Sequence, residues 1–147
     1  MDRDQATVFL REFGAHIGIP ELAFDDEGTA LIVIDNGPIV TMGHSAHTGT
    51  LELMVCLDEV IVTLPVMREA LSANFMAAGT SHIVFAVTGN TLVLQRSCSE
   101  VEAADGGFIA AVEALVRTAD AWSERLIALG TPSASEAPHV PAGMMRA

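Results

Sequence analysis

The chain has 147 residues, of which 19 are acidic and 7 are basic, so its formal net charge at pH 7 is −12. This length suits a single domain with a substantial core. The charge argues against nucleic acid or an anionic membrane as a partner, because both need a basic surface, and this chain has scattered arginines and no lysine. Half of the residues are apolar and the mean hydropathy is +0.43, which is high for so acidic a protein.

Targeting signals and disulfides are not indicated. The longest apolar runs, residues 30–34 and 83–87, have the length of strands and fall short of the roughly 18–20 residues that a membrane span needs. The N-terminal residues lack the charged flank and apolar segment of a secretory signal. Cys56 and Cys98 are too isolated for a disulfide framework. We therefore expect a cytoplasmic protein with reduced thiols and without membrane insertion.

The first predicted element is a helix over residues 4–17, because apolar residues recur there every three or four positions. Asp2 or Asp4 can cap its start, and Gly18 followed by a proline is typical of a helix end. Gly14 lies inside this helix, where it costs about 1 kcal/mol relative to alanine. A close approach of another backbone would explain this glycine, and so would simple tolerance.

A β region follows the first helix. Residues 29–35 are rich in β-forming side chains, and the Asp-Asn-Gly sequence at 35–37 predicts a hairpin turn into a second strand over 39–42. The polar residues 43–50 are interpreted as a loop. A third strand is predicted from residue 51 to about residue 62, starting with strict alternation of apolar and other side chains.

The second half of the chain contains two more helices and another hairpin. A helix is predicted over residues 63–78 and is followed by a glycine. Strands are predicted over 82–87 and 91–96, joined by Gly89 and Asn90 in a two-residue turn. The clearest element is a long helix over 108–129, where apolar residues step by three and four without a break.

The predicted order is α-β-β-β-α-β-β-α, which indicates one α+β domain over residues 1–130 with an antiparallel sheet packed against three helices. Residues 131–147 lack any periodicity and are predicted to form a disordered tail. Residues 31–34, 83–87 and 92–94 are apolar on both faces of their strands. Either the three helices cover both sides of the sheet, or a second subunit or a bound partner covers the remainder.

The sequence offers little catalytic chemistry. His44 and His47 form an HxxH pair, the best metal candidate in the chain, but Glu52 or Asp58 would have to complete the site. A solvated loop is the simpler interpretation. Cys98 has no evident base, and neither a phosphate-binding loop nor a GxSxG sequence is present. We therefore predict no catalytic residue, no metal site, no cofactor and no enzymatic activity.

Several segments resemble one known family. Residues 10–22 (LREFGAHIGIPEL) look like its opening helix and turn, residues 30–34 like its first strand, and residues 68–75 (REALSANF) like its second helix. The final helix, with Trp122 preceding Leu126, also fits. From about residue 5 to residue 129, the chain resembles the class I type III secretion chaperones, the Tir-chaperone (CesT-like) family of small acidic bacterial proteins.

The resemblance implies a cytoplasmic homodimer that binds the N-terminal segment of a secreted effector protein. The effector would wrap, largely extended, around apolar patches and stay soluble, stable and competent for export, with the export ATPase as a possible further partner. Family members do not hydrolyse ATP themselves. The implied dimer interface contains Met67, Leu71, Asn74, Phe75 and Ile83. The candidate effector-binding residues are Phe9, Phe13, Ile17, Ile19, Leu22, Ile32 and Ile34, although any of them could be core, Phe13 first of all.

Two alternatives stay open on the sequence alone. One is a dimeric regulatory or protein-binding module of similar fold that has no part in export. The other is a small metal-binding enzyme that uses His44 and His47. Replacement of both histidines by alanine distinguishes the enzyme from the other two, because only the enzyme would lose its activity and its metal.

Overall fold

A five-stranded antiparallel sheet organises the chain in the computed structural model, which describes residues 1–77 and 82–130. The predicted order of helices and strands is confirmed, with one short additional helix before the last. The predicted tail lies outside the described residues. The elements are α1 (Arg3–His16), β1 (Thr29–Val33), β2 (Ile39–Ser45), β3 (Thr50–Cys56), α2 (Leu64–Ala77), β4 (Ile83–Thr88), β5 (Thr91–Cys98), α3 (Glu100–Ala103) and α4 (Gly107–Gly130).

The spatial order of the strands is β1-β2-β3-β5-β4, so β5 lies between β3 and β4 while β1 and β4 form the two edges. Every pair of neighbours is antiparallel. One row of paired residues crosses the whole sheet on its core face, and all five are buried: Ile32, Val40, Val55, Leu94 and Phe85.

The core lies between this face of the sheet and the helices α1 and α4. Leu10 and Phe13 of α1 and Leu115 of α4 are almost completely buried against it. The rings of Phe13 and Phe108 meet edge to face with centroids 5.7 Å apart, which joins the two helices. The alternation predicted for the third strand is confirmed, since the core-facing residues of β3 are fully buried and the intervening ones are not.

The opposite face of the sheet is not covered by helices at its β1 end. Leu31 and Val33 are 60% and 63% exposed, and Ile39 of the neighbouring strand is also exposed. The chain therefore leaves apolar strand residues in solvent, and the second explanation for the two-faced apolar strands, a covering subunit or partner, is the one that fits this geometry.

The structure explains two features of the α1 sequence, the residues at its start and the glycine in its interior. The Asp2 side chain accepts a hydrogen bond from the backbone N–H of Gln5, and the Gln5 side chain accepts one from the N–H of Asp2, so a capping box starts the helix at Arg3. A Cβ on Gly14 would lie 2.8 Å from the Cβ of Leu22. The close approach of another segment therefore explains this glycine.

Several strand boundaries differ from the predicted ones by one or two residues, and those at the ends of β2 and β3 differ by more. Strand β2 continues through Ser45, because residues 43–45 pair with Glu52, Leu51 and Thr50 of β3, and the loop is confined to residues 46–49. Strand β3 ends at Cys56, and the chain turns immediately, with the N–H of Val60 bonded to the carbonyl of Leu57. Residues 57–62 mix apolar and acidic side chains, so the tendency to form a turn competes there with the tendency to form a strand, and the turn is the conformation that forms.

Helix α3 is absent from the prediction because it is a single turn. Ser99 caps it, and the Glu102 carboxylate accepts hydrogen bonds from the N–H and the hydroxyl of Ser99. These bonds lower the pKa of Glu102 below its ordinary value, the hydroxyl being the larger cause.

Helix α4 is fixed to α2 and β4 by an aromatic and ionic cluster. The Trp122 ring lies edge-on to Phe85 with centroids 5.1 Å apart. The Arg125 guanidinium lies over the Trp122 ring, 4.8 Å from its centroid, and also contacts the Glu69 carboxylate of α2 at 2.8 Å. No helix among residues 1–77 and 82–130 is long and apolar enough to cross a membrane.

Candidate functional site

A groove of about 350 Å³ opens between the end of α1 and the first half of α4. We call it the α1–α4 groove. Its floor is apolar and its rim is charged, with one helix on each side and the end of β1 below. Its lining residues are Phe13, His16, Ile17, Ile34, Val112, Glu113, Val116 and Arg117.

The floor of the α1–α4 groove is formed by side chains that the fold holds in fixed places. Phe13 is part of the core and is only 2% exposed, whereas Ile17 is the C-cap residue of α1 and is 38% exposed. Gly18 follows with a φ of +80°, a conformation that favours glycine, so the chain turns away there and leaves Ile17 at the mouth. An apolar side chain of a partner fits such a floor.

The rim of the α1–α4 groove carries both signs of charge. His16 Nε2 and Glu113 Oε1 lie 3.9 Å apart across the groove. Arg117, one turn along α4, has no ion-pair partner among the residues that the structure describes. The groove can therefore hold an apolar group and still offer a free cation at one end.

The seven candidate effector-binding residues divide into groups. Phe13, Ile17 and Ile34 come together in the α1–α4 groove. Ile19 is exposed in the segment after α1, beside the groove in sequence. Three of the seven predicted residues therefore line one concave surface, and a fourth follows Ile17 by two residues in the sequence.

The remaining three candidates do not line the α1–α4 groove. Ile32 is buried on the core face of β1, so the core alternative that the sequence left open applies to it. Phe9 and Leu22 are partly buried against the core. None of these three side chains is freely available on the surface of the monomer.

The free edge of β1 is a feature that the sequence did not identify. Thr29 is closed off, because its N–H donates to the Asp25 side chain and its carbonyl accepts from the Asp25 N–H, both at 2.8 Å. Backbone groups in an antiparallel strand alternate in direction, so the N–H and C=O of Leu31 and Val33 point to the same outer edge as those of Thr29. These two residues therefore combine an open edge with exposed apolar side chains.

A second apolar surface lies on α2 and β4, and we call it the α2–β4 surface. Met67, Leu71 and Phe75, all predicted at a dimer interface, are exposed along α2. Leu64 of α2 and the valines Val84 and Val87 of β4, missed from the sequence, are exposed as well. The two valines lie on opposite faces of their strand, because side chains alternate along β4. Exposed apolar patches of this kind are typical of interfaces.

Two of the predicted interface residues have roles within the chain. Asn74 hydrogen-bonds through its side-chain amide to both backbone groups of Phe85. Ile83 is buried and belongs to the core cluster. They shape the α2–β4 surface from below, and neither supplies exposed apolar area to it.

The histidine pair does not form a compact site. His44 lies on β2 with Nε2 3.2 Å from the carbonyl oxygen of Met1, and His47 is exposed in the following turn. Glu52 is engaged by the hydroxyls of Thr50 and Ser97. Within residues 1–77 and 82–130, no group of three or more His, Cys, Asp or Glu side chains is arranged to hold a metal ion.

The two cysteines are likewise unsuited to nucleophilic chemistry. Burial raises the pKa of the Cys98 thiol, and the nearby Glu102 carboxylate raises it further. Burial, and then Asp58, also raise the pKa of Cys56. Both thiols are free and are held in the protonated form, which is the less reactive one.

Several solved structures share the fold of this chain. The chain superposes on the ExsC–ExsE complex with a TM-score of 0.74 and 23% identity, over 86% of this chain and 97% of that one. For the HopA1–SchA chaperone–effector complex the TM-score is 0.74 and the identity 18%, over 84% of this chain and 98% of that one. For the Yersinia pestis type III secretion chaperone SycH with a fragment of YscM2 the TM-score is 0.64 and the identity 17%, over 78% of this chain and 97% of that one. At identities this low, the structural similarity establishes the fold alone.

The family follows from the sequence itself. No curated protein matches the chain. The model of the Tir chaperone protein (CesT) family, by contrast, matches residues 8–123, which is most of the chain. This is a family of chaperones and not of enzymes, so the predicted family, the predicted α+β fold and the predicted chaperone function are confirmed. The chain belongs to the Tir chaperone protein (CesT) family.

Proposed function

We propose that this protein is a cytoplasmic type III secretion chaperone that binds, as a homodimer, the N-terminal segment of an effector and keeps it soluble and competent for export. The observation that carries the proposal is the α1–α4 groove, an apolar concavity that adjoins the free edge of β1. Structures of the same fold include a chaperone–effector complex and a type III secretion chaperone, which supports this assignment.

The groove and the edge together suit an extended polypeptide. A strand added to a sheet edge gains main-chain hydrogen bonds, and pockets for alternate side chains give it specificity. Here Leu31 and Val33 offer the backbone groups, and Ile34, next along the chain, lines the groove. A client strand along β1 would therefore place a side chain in the α1–α4 groove within a residue or two of its paired segment.

The α2–β4 surface is the proposed homodimer interface. It presents Met67, Leu71 and Phe75 as one stripe along a single helix. A two-fold interface places the same patch on both subunits, which suits one compact apolar surface of this kind. An export ATPase is a proposed further partner of the loaded dimer.

Co-expression with the products of neighbouring genes tests the proposal. We expect a secreted protein to co-purify through its N-terminal segment, and we expect deletion of the chaperone to lower the abundance and export of that protein. The H44A/H47A variant is the matched control and should behave as the wild type. Co-purification of a non-secreted protein would favour the regulatory-module alternative, and loss of function with loss of a bound metal in H44A/H47A would favour the enzyme. If the level and export of every neighbouring product are indifferent to the deletion, the proposal is wrong.

A further inference from the structure

A second groove, of about 640 Å³, continues along α4 beyond the first. We call it the acidic groove. It lies between the β1–β2 turn, the loop after β3 and the second half of α4. The residues that matter are Asp58 and Glu59 of the loop, Asp120 and Glu124 of α4, and the apolar side chains of Ile39 and Ile127.

The lining of the acidic groove is of one sign. Of the described residues that line it, four are carboxylates and none is basic. None of the four forms an ion pair within residues 1–77 and 82–130. No three of them converge closely enough to hold a metal ion either. Because carboxylates surround the exposed side chain of Ile39, the groove suits a long cationic side chain with an apolar stem. Arginine and lysine have this form.

The two grooves are continuous along the same helix. Val116 and Arg117 belong to the α1–α4 groove and Asp120 to the acidic groove, and residues three or four apart are neighbours on one face of a helix. The β1–β2 hairpin joins them in the same way, with Ile34 in the first groove and Asn36 in the second. Their centres are about eight helical residues apart, roughly 12 Å, which an extended chain spans in about three to four residues.

We infer that one extended segment of the client fills both grooves, with an apolar side chain in the α1–α4 groove and an arginine or lysine, about three residues away, in the acidic groove. The inference rests on the proposed function and adds the chemistry of the bound segment. Arg117 helps to determine which groove takes the basic residue, because its charge repels a basic residue from the first groove while the carboxylates of the second attract one.

Model peptides test the inference without a known client. The probes are a short fluorescent peptide with a central leucine and one arginine about three residues away on each side, and the same peptide with two glutamates in place of the arginines. Fluorescence anisotropy measures both affinities for the full chain. We expect the arginine peptide to bind roughly tenfold more tightly, with a preference that weakens as salt is added.

Two double variants locate the preference. D120K/E124K should reverse the order of the two affinities. E12K/D26K changes the net charge by the same amount at exposed positions that line neither groove, and should retain the wild-type order. Thermal unfolding confirms that each variant is folded. Equal affinities in the wild type, or equal effects of the two double variants, would overturn the inference.

The outcomes also separate this inference from the proposed function. I17D should weaken binding of both peptides, and if it does not, the two grooves do not share one segment. Charge-selective peptide binding without any co-purifying effector would support the inference and contradict the proposed function. Capture of an effector, together with peptide affinities that D120K/E124K leaves unchanged, would support the proposed function and contradict the inference. A changed oligomeric state of D120K/E124K in light scattering would make the acidic groove an interface between copies and so overturn the inference.

Discussion

The side-chain amide of Asn74 on α2 makes the two hydrogen bonds that a neighbouring strand would make with Phe85 on β4. Asn74 Nδ2 donates to the carbonyl oxygen of Phe85 at 2.9 Å, and the N–H of Phe85 donates to Asn74 Oδ1 at 2.7 Å. Because β4 is an edge strand, this contact blocks further strand pairing at its centre. The sheet therefore has one protected edge, at β4, and one open edge, at β1.

Replacement of Asn74 by alanine should destabilise the monomer. Both backbone groups of Phe85 lose their partner, and we expect a loss of about 2 kcal/mol in the free energy of unfolding. Urea denaturation measures this loss, with S72A, an exposed position on the same helix, as the control. Dissociation of the dimer at unchanged monomer stability would instead support the interface role first predicted for Asn74.

Replacement of Phe75 by aspartate should break the dimer. Phe75 is 85% exposed in the monomer, so the change costs the folded chain little but places a charge in the proposed interface. Light scattering should then show a species near 15.4 kDa. V101D is the matched control, because Val101 is 87% exposed on α3, away from the α2–β4 surface. A wild-type protein that is already monomeric would refute the interface itself.

Replacement of Ile17 by aspartate should weaken capture of the client. Ile17 lies at the mouth of the α1–α4 groove, where a charge opposes docking of an apolar side chain, and we expect the affinity to fall at least about tenfold. V8D is the comparison, since Val8 is 51% exposed on the same helix and does not line the groove. Titration calorimetry with the co-purified partner measures both affinities. Equal losses in the two variants would count against the groove.

Replacement of Gly14 by alanine should destabilise the protein, although alanine normally favours a helix by about 1 kcal/mol. The new Cβ would lie 2.8 Å from the Cβ of Leu22 and would also meet the carbonyl of Ile19, so we expect a net loss of about 2 kcal/mol. G43A should be nearly neutral, because there the nearest atom, the carbonyl oxygen of Gly28, is 3.8 Å away. Thermal unfolding compares the two, and stabilisation by G14A would show that the close contact relaxes freely.

The stability contributed by Glu102 should depend on pH. Its pKa is lower in the folded chain than in the unfolded one, because its carboxylate accepts hydrogen bonds from Ser99. The contribution is therefore complete above the ordinary pKa of a glutamate and is lost as the pH falls through the lower, folded pKa. Urea midpoints of the wild type and E102Q should differ at neutral pH and converge in acid. E12Q, at an exposed position on α1, is the matched control.

The elements of the fold could be predicted, because helix periodicity and turn residues act locally. The orientation of the strands could not. A run such as residues 31–34 is apolar at every position, so alternation cannot tell which side faces the core. The sequence therefore nominated Ile32, which is buried, and passed over Leu31 and Val33, which are exposed. The position of β5 between β3 and β4 also depends on long-range pairing that no local pattern records.

The candidate site was predicted in part. Phe13 and Ile17 lie one helical turn apart, so the stripe that they form in the sequence becomes one wall of the α1–α4 groove. The other wall comes from Val112 and Val116, about a hundred residues further along the chain, whose stripe looked like ordinary core. Nothing in a single sequence says which members of an apolar stripe will meet another element and which will remain at a groove.

The place of Trp122 has a practical consequence for following both binding events. It is the only tryptophan, and the chain contains no tyrosine, so the intrinsic fluorescence of the protein reports on this one ring. The ring packs against Phe85 and under Arg125, at the junction with α2 and β4, and it lines neither groove on α4. The emission spectrum should therefore shift when subunits separate and stay constant when a client docks, which gives a label-free way to time the two steps independently.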